Sequence, residues 1–255
     1  MLRFESRGGG GLRLVLLPGA ACGPDVWEPL TEALAPAGHA LEIGVVAGFG
    51  AEPPAPETSW SALRASLLAH LSDGPPAILV GHSLGGALAL DAARDAAVLG
   101  VVLIESGPRL GPLVYRTDSV ALQRQRAADM IASAEDGDTF LALLVASMSP
   151  MFVSERAFER VAREAGLSEP RVVAELLAAL VELDFEPPAI PTLQLVGGAG
   201  APAQIDAFAA QVDRAELFRV PGARHFPMVE APEATASAIR AWIGRRLSTV
   251  ADRGL

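Results

Sequence analysis

Ala77–Val80 (AILV), then Gly81-His82-Ser83-Leu84-Gly85, then Gly86–Ala97 (GALALDAARDAA) is the stretch whose reading decides the fold. Four apolar residues with no charge among them read as a strand buried on both faces, and the alanine- and leucine-rich segment that follows reads as a helix. Only a very tight turn fits between the two. Glycine at 81 and 85 suits such a turn, because any side chain there would meet neighbouring backbone. A serine on the turn has its hydroxyl raised above the sheet, with the next residue's amide aimed at the same point. The N-terminus of the helix adds positive potential where negative charge would develop. Ser83 is therefore the candidate nucleophile. A bare glycine–serine–glycine pattern is common by chance, but one framed by this strand and this helix is not.

Working outward, Leu12–Leu17, Leu41–Val46, Val101–Ile104, Leu193–Val196 and Leu217–Val220 are further short apolar runs, each ending in turn residues. Helical patterns lie between them. Thr58–Leu71 opens on Thr58 and Ser59 as caps and spaces Trp60, Leu63, Leu67, Leu68 and Leu71 along one face. Glu233–Leu247 repeats the spacing with Ala238, Ile239, Trp242, Ile243 and Leu247. Alternating strand and helix predicts an α/β fold, a doubly wound and mostly parallel sheet. From about Arg109 to Pro188 no strand pattern occurs, only helical segments at Ser119–Ala134, Thr139–Ser147, Ser154–Ala165 and Pro170–Asp184. This reads as an inserted helical cap over 109–188, with residues 1–108 and 189–255 forming the core.

Composition narrows the function. The 255 residues suit one sizeable domain, and 51% hydrophobic against 20% charged residues supports a large core. No apolar run reaches the ~20 residues that span a bilayer. Met1–Gly11 is polar and glycine-rich, unlike a secretory leader, so a soluble cytoplasmic protein is expected. Cys22 is the only cysteine, which excludes an intramolecular disulfide and a multi-thiolate metal site. The four histidines, His39, His70, His82 and His225, lack ligand spacing, so no metal is expected. All 20 basic residues are arginines, which removes lysine Schiff-base chemistry and lysine-anchored pyridoxal phosphate, and no cofactor is expected. A net charge of −10 without a basic stripe argues against nucleic acid. A small-molecule substrate is the expected partner, bound by a monomer or homodimer.

From about Leu12 to Leu247 the chain resembles the α/β-hydrolase superfamily. The elbow around Ser83 carries the likeness, together with two other motifs. Leu17-Pro18-Gly19-Ala20-Ala21 stands where that family usually has a His-Gly pair, with Trp27 shortly after. Pro221-Gly222-Ala223-Arg224-His225-Phe226-Pro227, before the last helix, is similar to the family's catalytic-histidine loop. The resemblance implies His225 as the base that activates Ser83, because a serine hydroxyl is a poor nucleophile unaided. His82 is expected to point away and pack; His39 and His70 fall on helix or turn segments away from strand ends. The family's geometry makes the amides of Ala20 and Leu84 the oxyanion hole, and because backbone supplies the donors, Pro18 in place of histidine need not remove it. Cys22 reads as a small buried filler.

The acid is where the chain departs from the family. Most members carry an aspartate in a Gly-x-x-Asp pattern after the strand equivalent to Leu193–Val196, but here that slot reads Gly197-Gly198-Ala199-Gly200. The neighbouring strand, Val101–Ile104, delivers Glu105 at its C-terminal edge, and some branches, certain haloalkane dehalogenases and zearalenone-type lactone hydrolases, resemble that arrangement. Glu105 is the expected acid, orienting His225; Asp206 and a Ser–His dyad without an acid are the alternatives. The resemblance implies a serine hydrolase acting on an ester, lactone or thioester of a small apolar substrate. C–C bond hydrolysis, acyl transfer, lyase chemistry and perhydrolysis share the scaffold. A ligand-binding receptor that has lost turnover is the alternative from another class. The apolar stretch Phe140–Phe152 suits an adaptable substrate pocket or simple cap packing. Arg109, Arg116, Arg124 and Arg126 read as a solvated face, with a substrate carboxylate as the alternative partner.

Overall fold

Seven strands, β1 (Leu2–Arg7), β2 (Arg13–Leu17), β3 (Ala40–Val46), β4 (Ala77–His82), β5 (Val98–Ile104), β6 (Thr192–Gly197) and β7 (Glu216–Val220), form one sheet in the order β1-β3-β2-β4-β5-β6-β7. The computed structural model describes residues 1–200, 206–208, 210–212 and 215–251. Every neighbouring pair is parallel except β1 with β3. The side chains of β2, β4 and β6 are buried along their whole length, which is why their sequences show no polar alternation.

The six expected strands are β2 to β7. The first strand was not foreseen: Leu2–Arg7 alternates Leu2 and Phe4 with Arg3 and Glu5, the period-two signature of an edge strand, at the start of a segment read as merely polar. His39, expected away from strand ends, directly precedes β3, at the end opposite the site.

The helices on this sheet are α1 (Glu28–Leu34), α2 (Trp60–Ser72) and α3 (Leu84–Ala92), followed after β5 by α4 (Gly111–Tyr115), α5 (Val120–Ser133), α6 (Gly137–Met148), α7 (Glu155–Ala165) and α8 (Pro170–Ala179). A last helix runs Pro232–Ala251. Ser59 alone caps α2, accepting from the Ala62 amide at 3.2 Å. Helix α3 stops at Ala92 rather than Ala97 because residues 93–97 turn the chain into β5, which starts three residues earlier than the apolar run suggests. Likewise α8 ends at Ala179, and turn hydrogen bonds at Val181 and Glu182 replace its expected last turn.

Among the described residues no strand lies between β5 and β6, only α4 to α8. There α5 packs on α8 and α6 on α7. The end of α7 and the start of α8 fasten this segment to the loop after β3. Ser168 Oγ accepts from the Gly50 amide at 2.8 Å, and the Glu169 amide donates to the Gly48 carbonyl at 2.8 Å.

Register decides where function can sit. Leu17 lies opposite Gly81, His82 opposite Ile104, and Gly197 opposite Val220, so the parallel strands end together along one edge. The chain leaves β2 for β3 on one side and then returns to β4 on the other. That reversal opens a crevice above β4, where open α/β sheets bind ligands. No helix among the described residues is long and apolar enough to cross a membrane.

Candidate active site

Ser83 follows β4 with φ 48° and ψ −119°, a conformation that non-glycine residues rarely adopt and that costs about 1–3 kcal/mol. The surroundings hold it there. Its amide donates to the Ile104 carbonyl at 3.0 Å, and its carbonyl accepts from Ser106 Oγ at 2.5 Å and from the Gly86 amide at 2.9 Å. The flanking glycines are required by close approach. A Cβ on Gly81 would stand 2.4 Å from the Gly85 carbonyl oxygen, and one on Gly85 would stand 2.2 Å from that of Leu17.

Two further strained residues, Ala21 (φ 57°) and Glu105 (φ 49°), follow β2 and β5. Strain thus gathers on the turns at the strand edge that carry the candidate residues, with Arg116 the other such residue among those described.

The carboxylate after β5 points back across the sheet edge. Glu105 is 3% exposed; its Oε1 accepts from the Gly197 amide at 2.6 Å, and its Oε2 lies 3.3 Å from His225 Nδ1. A carboxylate can only accept, so Nδ1 carries the hydrogen and the lone pair is left on Nε2, the nitrogen a general base must present. The slot without an acid has a different use. A Cβ at Gly197 would lie 2.0 Å from the Arg224 carbonyl, so the end of β6 lets the histidine loop come close and donates an amide to Glu105.

Asp206 is elsewhere. Its side chain is 74% exposed and pairs loosely with Arg219, 3.9 Å away. The structure brings Glu105 to His225 and leaves Asp206 in solvent.

Ala20 is half-buried after β2, and Leu84 is the first residue of α3, whose first amides have no intrahelical acceptor. Cys22 is buried, and burial pushes its thiol up to about 12, so it stays protonated. His82 is buried and packs, its ring tilted against Phe226 at 4.7 Å, but it points toward His225 rather than away, with Nε2 2.9 Å from the His225 carbonyl.

The helical segment between β5 and β6 reaches the histidine loop directly, which the sequence does not reveal. The His225 amide donates to the Met151 carbonyl at 3.0 Å, and Phe152 stacks on Phe226 at 4.4 Å. Glu230 accepts from the Val153, Ser154 and Arg224 amides at 2.5, 3.0 and 2.7 Å. Within Phe140–Phe152, Phe140, Met148 and Phe152 are buried in packing. Arg109 pairs with Asp184 and Arg124 with Glu182, and Arg126 donates to the Tyr115 carbonyl. Arg109 and Arg116 also line a surface cavity of about 390 Å³ with Leu113 and Gln211, which includes none of Ser83, Glu105 and His225. Among the described residues no cluster of histidine, cysteine or carboxylate could hold a metal.

Comparison with known proteins agrees with this architecture. A sequence profile described as the alpha/beta hydrolase family matches residues 14–238. No curated protein sequence matches the chain. Among solved structures, a thermophilic esterase from Thermogutta terrifontis superposes with a TM-score of 0.77 at 24% identity, covering 96% of this chain and 93% of that one. The enol-lactonase from Burkholderia xenovorans gives a TM-score of 0.77 at 18% identity, covering 95% and 96%. A bromoperoxidase from Bacillus anthracis gives 0.77 at 20%, covering 95% of each. At these identities the likeness speaks for the fold.

Proposed function

The chain belongs to the alpha/beta hydrolase family, and from that premise we propose that it is a serine hydrolase cleaving an ester, lactone or thioester of a small apolar substrate. The catalytic residues in this reading are Ser83, His225 and Glu105, and the helical segment 109–188 is a cap over the site. The observation that carries it is the buried Glu105 carboxylate 3.3 Å from His225 Nδ1, on the same sheet edge as the end of β4, where Ser83 is held at positive φ.

Ser83 Oγ forms a bond to the acyl carbon while its proton passes to Nε2 of His225. The carbonyl electron pair moves onto oxygen, and the amides of Ala20 and Leu84 stabilise that oxyanion. Glu105 stabilises the imidazolium without taking its proton. The intermediate collapses, the bond to the leaving oxygen or sulfur breaks, and that atom takes the proton from Nε2. Water then repeats the sequence on the acyl-enzyme and frees Ser83. Loss of one oxyanion donor in such a site costs about 100- to 1000-fold in rate.

A serine-reactive phosphonate tests this directly. Wild-type protein takes up the label, Ser83→Ala does not, and hydrolysis of a short-chain p-nitrophenyl ester disappears in Ser83→Ala and in His225→Ala. Labelling that survives Ser83→Ala overturns the nucleophile assignment. A wild-type protein that neither labels nor turns over a panel of esters, lactones and thioesters is the binding protein of the alternative reading.

A further inference from the structure

Both main-chain groups of His225 are held by other parts of the molecule. Its amide donates to Met151 on the cap, and its carbonyl lies 2.9 Å from Nε2 of His82, the residue immediately before Ser83. We infer that His82 is a positioning residue whose bond to the His225 carbonyl ties the nucleophile turn to the histidine loop and sets the reach of the imidazole toward Ser83. The inference rests on the hydrolase reading above.

A carbonyl only accepts, so Nε2 of His82 carries the hydrogen and Nδ1 carries the lone pair. Nδ1 is buried with no partner among the described residues and lies against Gly19, where a Cβ would stand 2.5 Å away. His82 therefore touches three functional turns at once. It ends β4 one peptide from Ser83, presses on the loop before Ala20, and bonds to the backbone of the candidate base. Edge contact with the His225 ring at 4.9 Å and the tilted contact with Phe226 fix the plane of the imidazole. Burial, and then the neighbouring His225, hold its pKa well below the ordinary histidine value. That direction favours the neutral ring, which donates through Nε2 to the His225 carbonyl. Simple packing explains burial at this position, but not a polar ring aimed at the backbone of the residue that must meet Ser83.

The test separates donor from filler. In His82→Gln the amide nitrogen lies three bonds from Cβ, as Nε2 does, and restores the donor. His82→Asn falls one bond short, and His82→Leu fills space without donating. We expect His82→Gln to keep kcat within about threefold, and the other two to lose about 100-fold in kcat with KM little changed, the scale of a displacement of about 1 Å. Phosphonate labelling of Ser83 should slow in parallel. The acid limb of log kcat/KM should have unit slope in wild type and in His82→Gln alike. A folded His82→Leu that labels at the wild-type rate overturns the inference, as does a folded His82→Gln as slow as His82→Leu. A wild-type acid limb of slope two that becomes one in His82→Gln does the same. Should His82→Leu or His82→Asn not fold, His82→Gln and the pH profile still decide. If Ser83→Ala remains active, the hydrolase reading itself fails, whatever the His82 variants do.

Discussion

Two glutamates are largely withdrawn from water, Glu105 after β5 at 3% exposure and Glu164 on α7 at 7%. Their surroundings differ. Glu105 receives the Gly197 amide and faces the Nδ1 hydrogen of His225. The carboxylate of Glu164 lies against the α-carbons of Gly23 and Gly50, and none of the described residues donates to it. Burial raises its pKa, and Asp25 adds to the rise while Arg163 and Arg160 oppose it. Depth alone therefore does not make an acid useful. Donors do, because they reward the charged form and fix its direction.

Glu105→Gln breaks the comparison at its strong end. The amide oxygen still accepts from Gly197, but a neutral side chain no longer stabilises an imidazolium, and an amide group turned toward Nδ1–H selects the wrong tautomer. The expected loss in kcat is roughly 10³- to 10⁴-fold with KM little changed. Asp206→Asn, assayed beside it, should stay within about twofold. If Glu105→Gln kept more than a tenth of wild-type kcat, or if Asp206→Asn fell with it, the acid would have to be reassigned.

Gly197→Ala tests the support rather than the acid. The new Cβ would meet the Arg224 carbonyl at 2.0 Å, backbone that cannot simply rotate away. The end of β6 and the histidine loop must part, which moves the donor to Glu105 and the residue beside His225 together. A loss of about 1–3 kcal/mol in stability is expected, read as a fall in Tm, with kcat down by about 10- to 100-fold. An unchanged Tm would mean that the two segments are not pressed together as described.

How much of this was legible in the sequence depends on the range of the interaction. The strand–turn–helix around Ser83 is local: AILV, two glycines and an alanine-rich helix each report on their own few residues, and the structure has that turn. Glu105 was legible because a carboxylate that ends an apolar strand of a parallel sheet must lie on the edge where the other strands also end. Glu164 was not, since a charged residue on α7, between Arg163 and Ala165, reads as part of a solvated helix face. The bonds from Met151 and His82 to His225 join residues 74 and 143 positions apart, and no local pattern encodes such a pairing. The first strand was missed for a different reason. Its alternation spans six residues and precedes a run of glycines, so composition masked the period.

Glu164→Gln sharpens the weak end, and the sign can be worked out. Because the folded pKa is raised above the ordinary 4.5, the folded protein holds a proton that the unfolded chain has released over the interval above that value. Stability then falls as pH rises through the interval, the reverse of a carboxylate held by donors. Glutamine copies the protonated form and removes that slope. At pH 8 the variant should be more stable than wild type by roughly 1 kcal/mol or less, a rise of up to about 2–4 °C in Tm for a chain of this size. The gain should shrink toward zero at pH 4.5 and below, where wild type is protonated in both states. Activity measured in the same samples should change far less than in Glu105→Gln, because Glu164 lies against Gly23 and Gly50 and, among the described residues, bonds to none of Ser83, His225 and Glu105. A difference in Tm that does not vary with pH would show that Glu164 finds its donors after all, and the contrast with Glu105 would then be one of position and not of solvation.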